Sequence, residues 1–339
     1  MKQKKLVILT DNFGVDFSGG AIATARIFAC LQDEFAEIFV IGEQVGVHAL
    51  KQLTLLPYKN ALEAIRHIRS FDVKNTIFYG DFYMAYYFIL TRVPFYFTYH
   101  DNWPEQKQFG WHNYRRSFFY IPIYRWIIKK ARWVITVSNY KYQFTSSLTS
   151  KTSVIRNGTN CAITKQNKCS VSAEEVVRLI MLGNIDDRKY GWALDLFKFI
   201  DRNNGLKNIS IDIFGRVLDV KLAKELGQFS FVQLKDFTMN VDFRPYHFFL
   251  NTSKIENLSI SVCEALINHT PVFCFDVGGL REVVRHGYTG MLAQKGQIKE
   301  FFTYLQDACL GKITFDFSSQ NLDEYDWNYA AQQYKKILF

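Results

Sequence analysis

Short runs of β-branched and aromatic residues alternate along this chain with longer segments in which apolar residues recur every three to four positions. Runs over 5–10, 37–41, 76–79, 95–99, 133–137 and 153–155 predict strands, and segments over 21–32, 61–70, 81–90, 114–130 and 140–148 predict helices between them. The alternation then restarts, with strands over 177–182, 210–214, 231–232, 248–250 and 272–275. Helices are predicted over 192–202, 220–226, 261–268, 280–286 and 298–309. Strands that alternate with helices imply parallel sheets covered by helices on both faces, an α/β architecture. Two consecutive runs predict two such domains, 1–157 and 158–322, followed by a terminal helical segment 323–339 with Trp327, Ala330, Ala331, Tyr334 and Leu338 at helical spacing. The polar stretch 157–173 lacks a period, is rich in Ser, Thr and Asn, and reads as a linker.

Composition narrows the class. A 48% hydrophobic fraction and 22% charge over 339 residues suit a globular chain of about two domains. No stretch approaches the roughly 20 apolar residues of a spanning helix. The apolar run after the basic N-terminus, Leu6 to Leu9, is shorter than the roughly 7–15 residues of a signal-peptide core, so export is not expected. Cys30, Cys161, Cys169, Cys263, Cys274 and Cys309 form no C-x-x-C pair and read as reduced thiols of a cytoplasmic protein.

The charge is uneven. Of the net +9, all falls in residues 1–157, which hold 20 Lys+Arg against 11 Asp+Glu; residues 158–339 hold 21 of each. Ten basic residues and no acidic one lie between Gln106 and Arg156. Such a face implies an anionic partner: nucleic acid, a membrane surface or a phosphorylated ligand. Residues 111–133 combine eight aromatics with six basic residues and no acid, which suits a membrane interface rich in anionic head groups. The same composition suits a core-facing segment whose cations snorkel outward, and Pro122 is expected to interrupt any single amphipathic helix there. No nucleic-acid-binding module is present, so nucleic acid is not expected as a partner.

Four motifs fall at strand ends, where open α/β sheets bind ligands. Ser18-Gly19-Gly20-Ala21 follows a strand and opens a helix, so backbone N–H groups and a positive dipole end are available to a phosphate or sugar hydroxyl; a plain strand–helix turn has the same signature. His100, in Tyr99-His100-Asp101, closes an apolar strand and can donate a hydrogen bond or simply fill a structural place. Leu182-Gly183-Asn184 leads through Asp186 and Asp187 to Arg188 and Lys189, either a phosphate-binding pair or a self-neutralised charge cluster. Glu256 and Glu264 bracket Asn257-Leu258-Ser259-Ile260-Ser261-Val262-Cys263; a helix starting near 259–261 sets one carboxylate outside its start and one a turn inside, while Ser261 and Glu264 have capping-box spacing. Gly278-Gly279 makes a second strand–glycine turn. Neither G-x-G-x-x-G nor G-x-x-x-x-G-K-[ST] occurs, which disfavours a nicotinamide oxidoreductase.

Residues 253–292, SKIENLSISVCEALINHTPVFCFDVGGLREVVRHGYTGML, resemble the signature region of the family-4 retaining glycosyltransferases. Gly19-Gly20 resembles that family's glycine loop, His100 its cleft histidine, Arg156-Asn157-Gly158 the end of its first domain, and Gly183 to Lys189 its phosphate loop. The resemblance implies the GT-B fold: two facing Rossmann-like domains, the first on the acceptor side and the second on the donor side, with the terminal helix crossing back onto the first. It implies that Lys189, with Gly20, stabilises the diphosphate of a nucleotide-sugar, and that Glu264 binds the ribose. Glu256 and the backbone N–H groups around Asn257, Leu258 and Ser259 would hold the donor sugar and its phosphate, and His100 would meet the sugar near its anomeric carbon. The chain has no D-x-D triplet, so neither a metal nor another cofactor is expected.

Two departures stand out. Asn184 replaces the family's usual Arg, with Arg188 four positions on as the available substitute, and Asn257 and Ser259 replace its usual glycines. The implied activity is transfer of a sugar from a UDP- or GDP-linked donor to a glycan or lipid-linked acceptor, in bacterial surface-polysaccharide or glycoconjugate assembly. The implied place is the cytoplasm, peripheral on the inner face of the membrane. The alternative, to which Asn184 points, is a non-catalytic GT-B subunit that binds glycan or stabilises a partner transferase.

Overall fold

The computed structural model describes residues 4–159, 176–203, 206, 208–238, 240–321 and 323–339. From residue 160 onward the expected linker lies outside the described residues, as do Cys161 and Cys169. The chain forms two units, one of Met1–Gly158 with Asp323–Phe339 and one of Thr159–Leu322.

The first unit is built on β1 (Lys5–Leu9), β2 (Asn12–Phe13), β3 (Ile38–Ile41), β4 (Gln44–Val45), β5 (Thr54–Leu56), β6 (Thr76–Gly80), β7 (Phe95–Tyr99), β8 (Trp133–Thr136) and β9 (Thr152–Val154). Its helices are α1 (Gly19–Cys30), α2 (Ala61–Arg69), α3 (Tyr86–Thr91), α4 (Gly110–Lys130) and α5 (Asn139–Ser146). Seven strands form one parallel sheet in the order β5-β3-β1-β6-β7-β8-β9, while β2 and β4 pair separately. Helices on both faces explain why β6 and β7 are buried along their whole length rather than alternately. Phe78, Phe88, Phe95 and Phe97 are fully or almost fully enclosed in this core, each contributing about 2 kcal/mol of transfer free energy.

The second unit carries β10 (Val177–Leu182), β11 (Ile209–Phe214), β12 (Val232–Lys235), β13 (Phe248–Asn251), β14 (Val272–Phe275) and β15 (Gly290–Ala293). The helices are α6 (Asp187–Asn203), α7 (Val220–Leu226), α8 (Ile260–Ile267) and α9 (Ile298–Cys309). The sheet order is β12-β11-β10-β13-β14-β15, parallel throughout. Both sheets thus reverse their winding beside their first strand, between β1 and β6 in one unit and between β10 and β13 in the other. Such switch points are where doubly wound sheets bind ligands, outside the strands' carboxyl ends.

The last helix, α10 (Trp327–Leu338), belongs to the first unit. It buries Trp327, Ala330, Ala331, Tyr334 and Leu338, and the Tyr334 hydroxyl lies 3.0 Å from the Thr98 hydroxyl on β7. Lys335 reaches Glu34 and Arg156 pairs with Glu324, fixing both ends of the return segment.

Several predicted elements differ from those observed. The helix expected over 81–90 is a 3₁₀ turn, Tyr83–Ala85, followed by the short α3, and that expected over 280–286 is a 3₁₀ turn, Leu280–Glu282. Strands β5 and β15 escape the sequence pattern: both sit at sheet edges, and pairing rather than propensity defines them. Pro122 does not interrupt α4, which runs unbroken from Gly110 to Lys130. Pro122 and Phe118 both lie on the exposed side, where solvent meets the carbonyl that the proline cannot bond. Among the described residues, no helix is long and apolar enough to cross a membrane.

Candidate active site

The second unit's switch point is formed by the β10–α6 and β13–α8 loops. After β10 the chain turns through Gly183, whose φ of +137° disfavours side chains. A Cβ there would stand 2.8 Å from Lys189 Cδ, so the missing side chain is the bed on which Lys189 lies. Asp186 accepts a hydrogen bond from the Lys189 backbone N–H at 2.8 Å and starts α6, and its other oxygen stands 3.7 Å from Arg188 Nη2. Asp187 turns instead to Lys254, at 2.7 Å. The two aspartates therefore do not neutralise Lys189, contrary to the self-compensated reading of this cluster.

The Lys189 ammonium stands 4.0 Å from Glu256 Oε2, both side chains mostly buried. Thr252 Oγ1 donates to the Lys189 carbonyl at 2.9 Å and the Lys254 N–H to the Arg188 carbonyl at 2.8 Å, lacing the first turn of α6 to the loop after β13. Glu256 Oε2 is closed off from solvent and accepts no hydrogen bond from any described residue. A carboxylate oxygen held this way is costly unless a donor reaches it. Gly278, at φ +57°, presses against the same loop: a Cβ there would fall 1.6 Å from the Glu256 carbonyl oxygen.

Asn257, Leu258 and Ser259 are buried between Glu256 and α8. Ser259, not Ser261, is the N-cap: its hydroxyl accepts from the Val262 N–H at 3.4 Å and lies 3.0 Å from the Ser261 hydroxyl. The capping box expected of Ser261 and Glu264 is therefore not formed. Glu264 lies one turn inside the helix, half-buried, as the spacing predicts.

In the first unit the switch-point loop runs from β1 to α1. Ser18 caps α1, accepting from the Ala21 N–H at 3.3 Å; Gly19 opens the helix at the surface, and Gly20 lies under His100. A Cβ on Gly20 would stand 3.2 Å from His100 Cβ and from Phe82 Cζ. Burial lowers the His100 imidazole to about 4, so it is neutral at pH 7 and acts as a hydrogen-bonding group, not as a cation.

The loop that follows His100 is anchored from behind. The Tyr124 hydroxyl on α4 donates to the Asp101 carboxylate. On α5, the buried Lys141 donates to the Trp103 carbonyl at 3.0 Å and pairs with Glu105, which also accepts from Tyr140 at 3.0 Å. The Tyr99 hydroxyl donates to the same Trp103 carbonyl. Beside it, Thr24 donates to the buried Asp81 at 2.7 Å, and burial raises that carboxyl to about 7. Burial, reinforced by Glu43 and Asp101, raises Asp11 to about 6. The carboxyl ends of β1, β3, β6 and β7 thus lead into Asp11, Glu43, Asp81 and Asp101, an acidic rim within a unit that is basic in sum. Sequence reading quoted Asp101 only as the neighbour of His100 and gave Asp11, Glu43 and Asp81 no role, although a carboxylate just after a buried strand was the available signal.

The structure accordingly gathers the predicted residues into two groups, Gly20 with His100 in one unit and Lys189 with Glu256 in the other; Arg188 is engaged by Asp186. Two doubly wound parallel sheets, with a terminal helix returned to the first, define a GT-B glycosyltransferase. Residues 26–162 match Glycosyltransferase Family 4 and residues 243–317 match Glycosyl transferases group 1. The two matches together take in more than half of the chain, and it belongs to this family of glycosyltransferases. Among solved structures, HepE of Anabaena in complex with UDP and glucose is similar over 99% of both chains, with TM-score 0.76 and 16% identity. Sucrose-phosphate synthase of Thermosynechococcus elongatus is similar over 98% of both, with TM-score 0.76 and 14% identity. WaaG, a glycosyltransferase involved in lipopolysaccharide biosynthesis, is similar over 98% of this chain and 95% of its own, with TM-score 0.71 and 15% identity. No protein of curated function matches the sequence.

Proposed function

We propose that this chain is a retaining, metal-independent transferase that moves a hexosyl group from a UDP- or GDP-linked sugar to a glycan or lipid-linked acceptor. Its setting is bacterial surface-polysaccharide or glycoconjugate assembly, in the cytoplasm and peripheral on the inner face of the membrane. The observation that carries the reading is the Lys189–Glu256 pair, a cation beside a buried carboxylate oxygen at a switch point. A sugar hydroxyl supplies the donor that Glu256 lacks among the described residues, and a diphosphate supplies the anion that Lys189 faces. The solved HepE complexes with UDP and UDP-glucose support the ligand class.

In this reaction the bond between the anomeric carbon and the diphosphate oxygen breaks as the acceptor oxygen bonds to the same face of the sugar. The leaving phosphate takes the acceptor's proton. Positive charge grows on the sugar ring and negative charge on the diphosphate, so groups fixed before the reaction gain most. Lys189, with the N–H groups at Gly20, stabilises the departing diphosphate, assisted by Arg188 in place of the arginine that Asn184 replaces. Glu256 and the N–H groups of Asn257, Leu258 and Ser259 hold the sugar and its phosphate, Glu264 binds the ribose, and Gly19 keeps the approach open. His100, neutral at pH 7, donates to the sugar near the anomeric carbon without opposing its developing charge.

Calorimetric titration with UDP and GDP tests the reading together with NMR of the transfer product. Binding of one nucleotide and a product anomer matching the donor are expected. Absence of binding to either would leave the non-catalytic subunit as the better account.

A further inference from the structure

In the second unit, α6 carries a glycine just past its first turn. Gly191 lies inside the helix, where glycine is destabilising relative to alanine. The room its missing side chain leaves is filled by an ion pair. Asp187, four positions earlier and so on the same face, meets Lys254 of the β13–α8 loop at 2.7 Å. A Cβ on Gly191 would stand 2.4 Å from Asp187 Oδ1 and 2.4 Å from Lys254 Nζ. The pair is thus laid across α6 at a residue that has no side chain to obstruct it. Asp187 opens the helix, where the helix dipole also favours its charge. The Lys254 side chain is only 20% exposed and rests over Gly191, so it is not a freely swinging surface lysine.

The pair joins the two segments that carry the site. Lys254 stands two residues before Glu256, and Asp187 two residues before Lys189. The Lys254 N–H donates to the Arg188 carbonyl at 2.8 Å, and the buried Thr252 donates to the Lys189 carbonyl at 2.9 Å. The Ser253 N–H in turn donates to the Asn251 side chain at 3.0 Å, which fixes the loop where it leaves β13. We propose that Lys254 and Asp187, seated across Gly191, are positioning residues for sugar transfer: they set the loop that carries Glu256 against the turn that carries Lys189. The proposal rests on the donor-site reading above and adds residues that act through Lys189 and Glu256 rather than on the ligand. Lys254 is not a second cation for the diphosphate, because Asp187 takes up its charge. Bracing of this kind has a chemical use, since a displacement of about 1 Å near the reacting atoms costs about a hundredfold in rate.

Kinetics of the full chain with its nucleotide-sugar test the proposal. Lys254→Met, Asp187→Asn and Gly191→Ala should each lower kcat about tenfold and change the donor KM less than about threefold. Gly191→Ala separates positioning from stability, because alanine favours the helix: resistance to urea should hold or rise while the rate falls. Asp187→Glu, whose longer arm still reaches Lys254, should keep a near-native rate. In a chain that already carries Lys189→Ala, Lys254→Met should cost less than about threefold, because the cation it positions is gone. Amide exchange reads the clamp without any transfer: protection over 252–256 should fall about tenfold in Lys254→Met, with the urea midpoint little changed. Native turnover in Lys254→Met and Gly191→Ala, equal losses with and without Lys189, or unchanged amide protection would overturn the proposal. A native chain that releases no nucleotide from any donor would strike the donor-site reading instead, and the exchange result would then decide on the clamp.

Discussion

Lys189 Nζ stands 4.0 Å from Glu256 Oε2, each carried to the switch point by a different strand, β10 and β13. Neither neighbour explains this cation: Asp186 is engaged with the start of α6 and Asp187 with Lys254. A mostly buried charge whose only close carboxylate among the described residues lies at ion-pair limit is placed for a third party. Lys189→Ala should lower transfer by about 10²- to 10³-fold, in the range of removing one preorganised electrostatic group. Single-turnover kinetics with a UDP- or GDP-sugar measure it, and a loss confined to KM would contradict stabilisation of the leaving group.

Gly20 and His100 make the corresponding contact in the first unit. A Cβ at position 20 must displace the His100 ring by a few tenths of an ångström. Gly20→Ala should therefore fold normally and lower kcat/KM about tenfold, since small misplacements near the chemistry are costly. An unchanged rate would contradict the role proposed for His100.

Lys141 tests how the loop after His100 is held. Its ammonium is fully buried on Glu105 and the Trp103 carbonyl. Lys141→Met removes the cation beside Glu105, leaving Tyr140 as donor to that carboxylate and Tyr99 as donor to the Trp103 carbonyl, and should destabilise the first unit by about 3 kcal/mol, read by urea denaturation. If stability were unchanged, Tyr99, Tyr124 and Tyr140 would hold the loop without Lys141.

Asp81 gives a pH dependence. Its buried carboxyl keeps a proton up to about pH 7, against 3.8 for an ordinary aspartate. Between these values the folded chain binds a proton that the unfolded chain has released, so this group's contribution to stability falls as pH rises. Asp81→Asn cannot ionise and should gain stability relative to the native sequence from about pH 4 to about pH 7, and no further above it. Thermal unfolding across that range checks the sign.

The two parallel sheets were legible in the chain because their central strands, β1, β6, β7, β10 and β14 among them, are short runs dominated by buried apolar residues. Two of the four edge strands were not: Thr54–Leu56, with only Thr54 fully exposed, and the glycine-led Gly290–Ala293 owe their conformation to the neighbour they pair with. The residue types at the switch points could be read directly, because Gly183, Lys189 and Glu256 follow strand ends at fixed spacing. The choice among their partners could not. Whether Lys189 turned to Asp186, Asp187 or Glu256, and whether Ser259 or Ser261 capped α8, depended on differences of one residue in helix start. The basic charge of the first unit was visible as a sum, but its division between an outer aromatic helix and an acidic rim at the strand ends needed the fold.

The most direct test is a panel of nucleotide-sugars with detection of released nucleotide, run on the native chain and on Glu256→Ala. One UDP- or GDP-linked sugar should release its nucleotide in an acceptor-dependent manner, and Glu256→Ala, folded by circular dichroism, should lower that release by at least about a hundredfold. Near-normal turnover in Glu256→Ala would contradict the role assigned to the pair, and no release from any donor would contradict the enzyme itself.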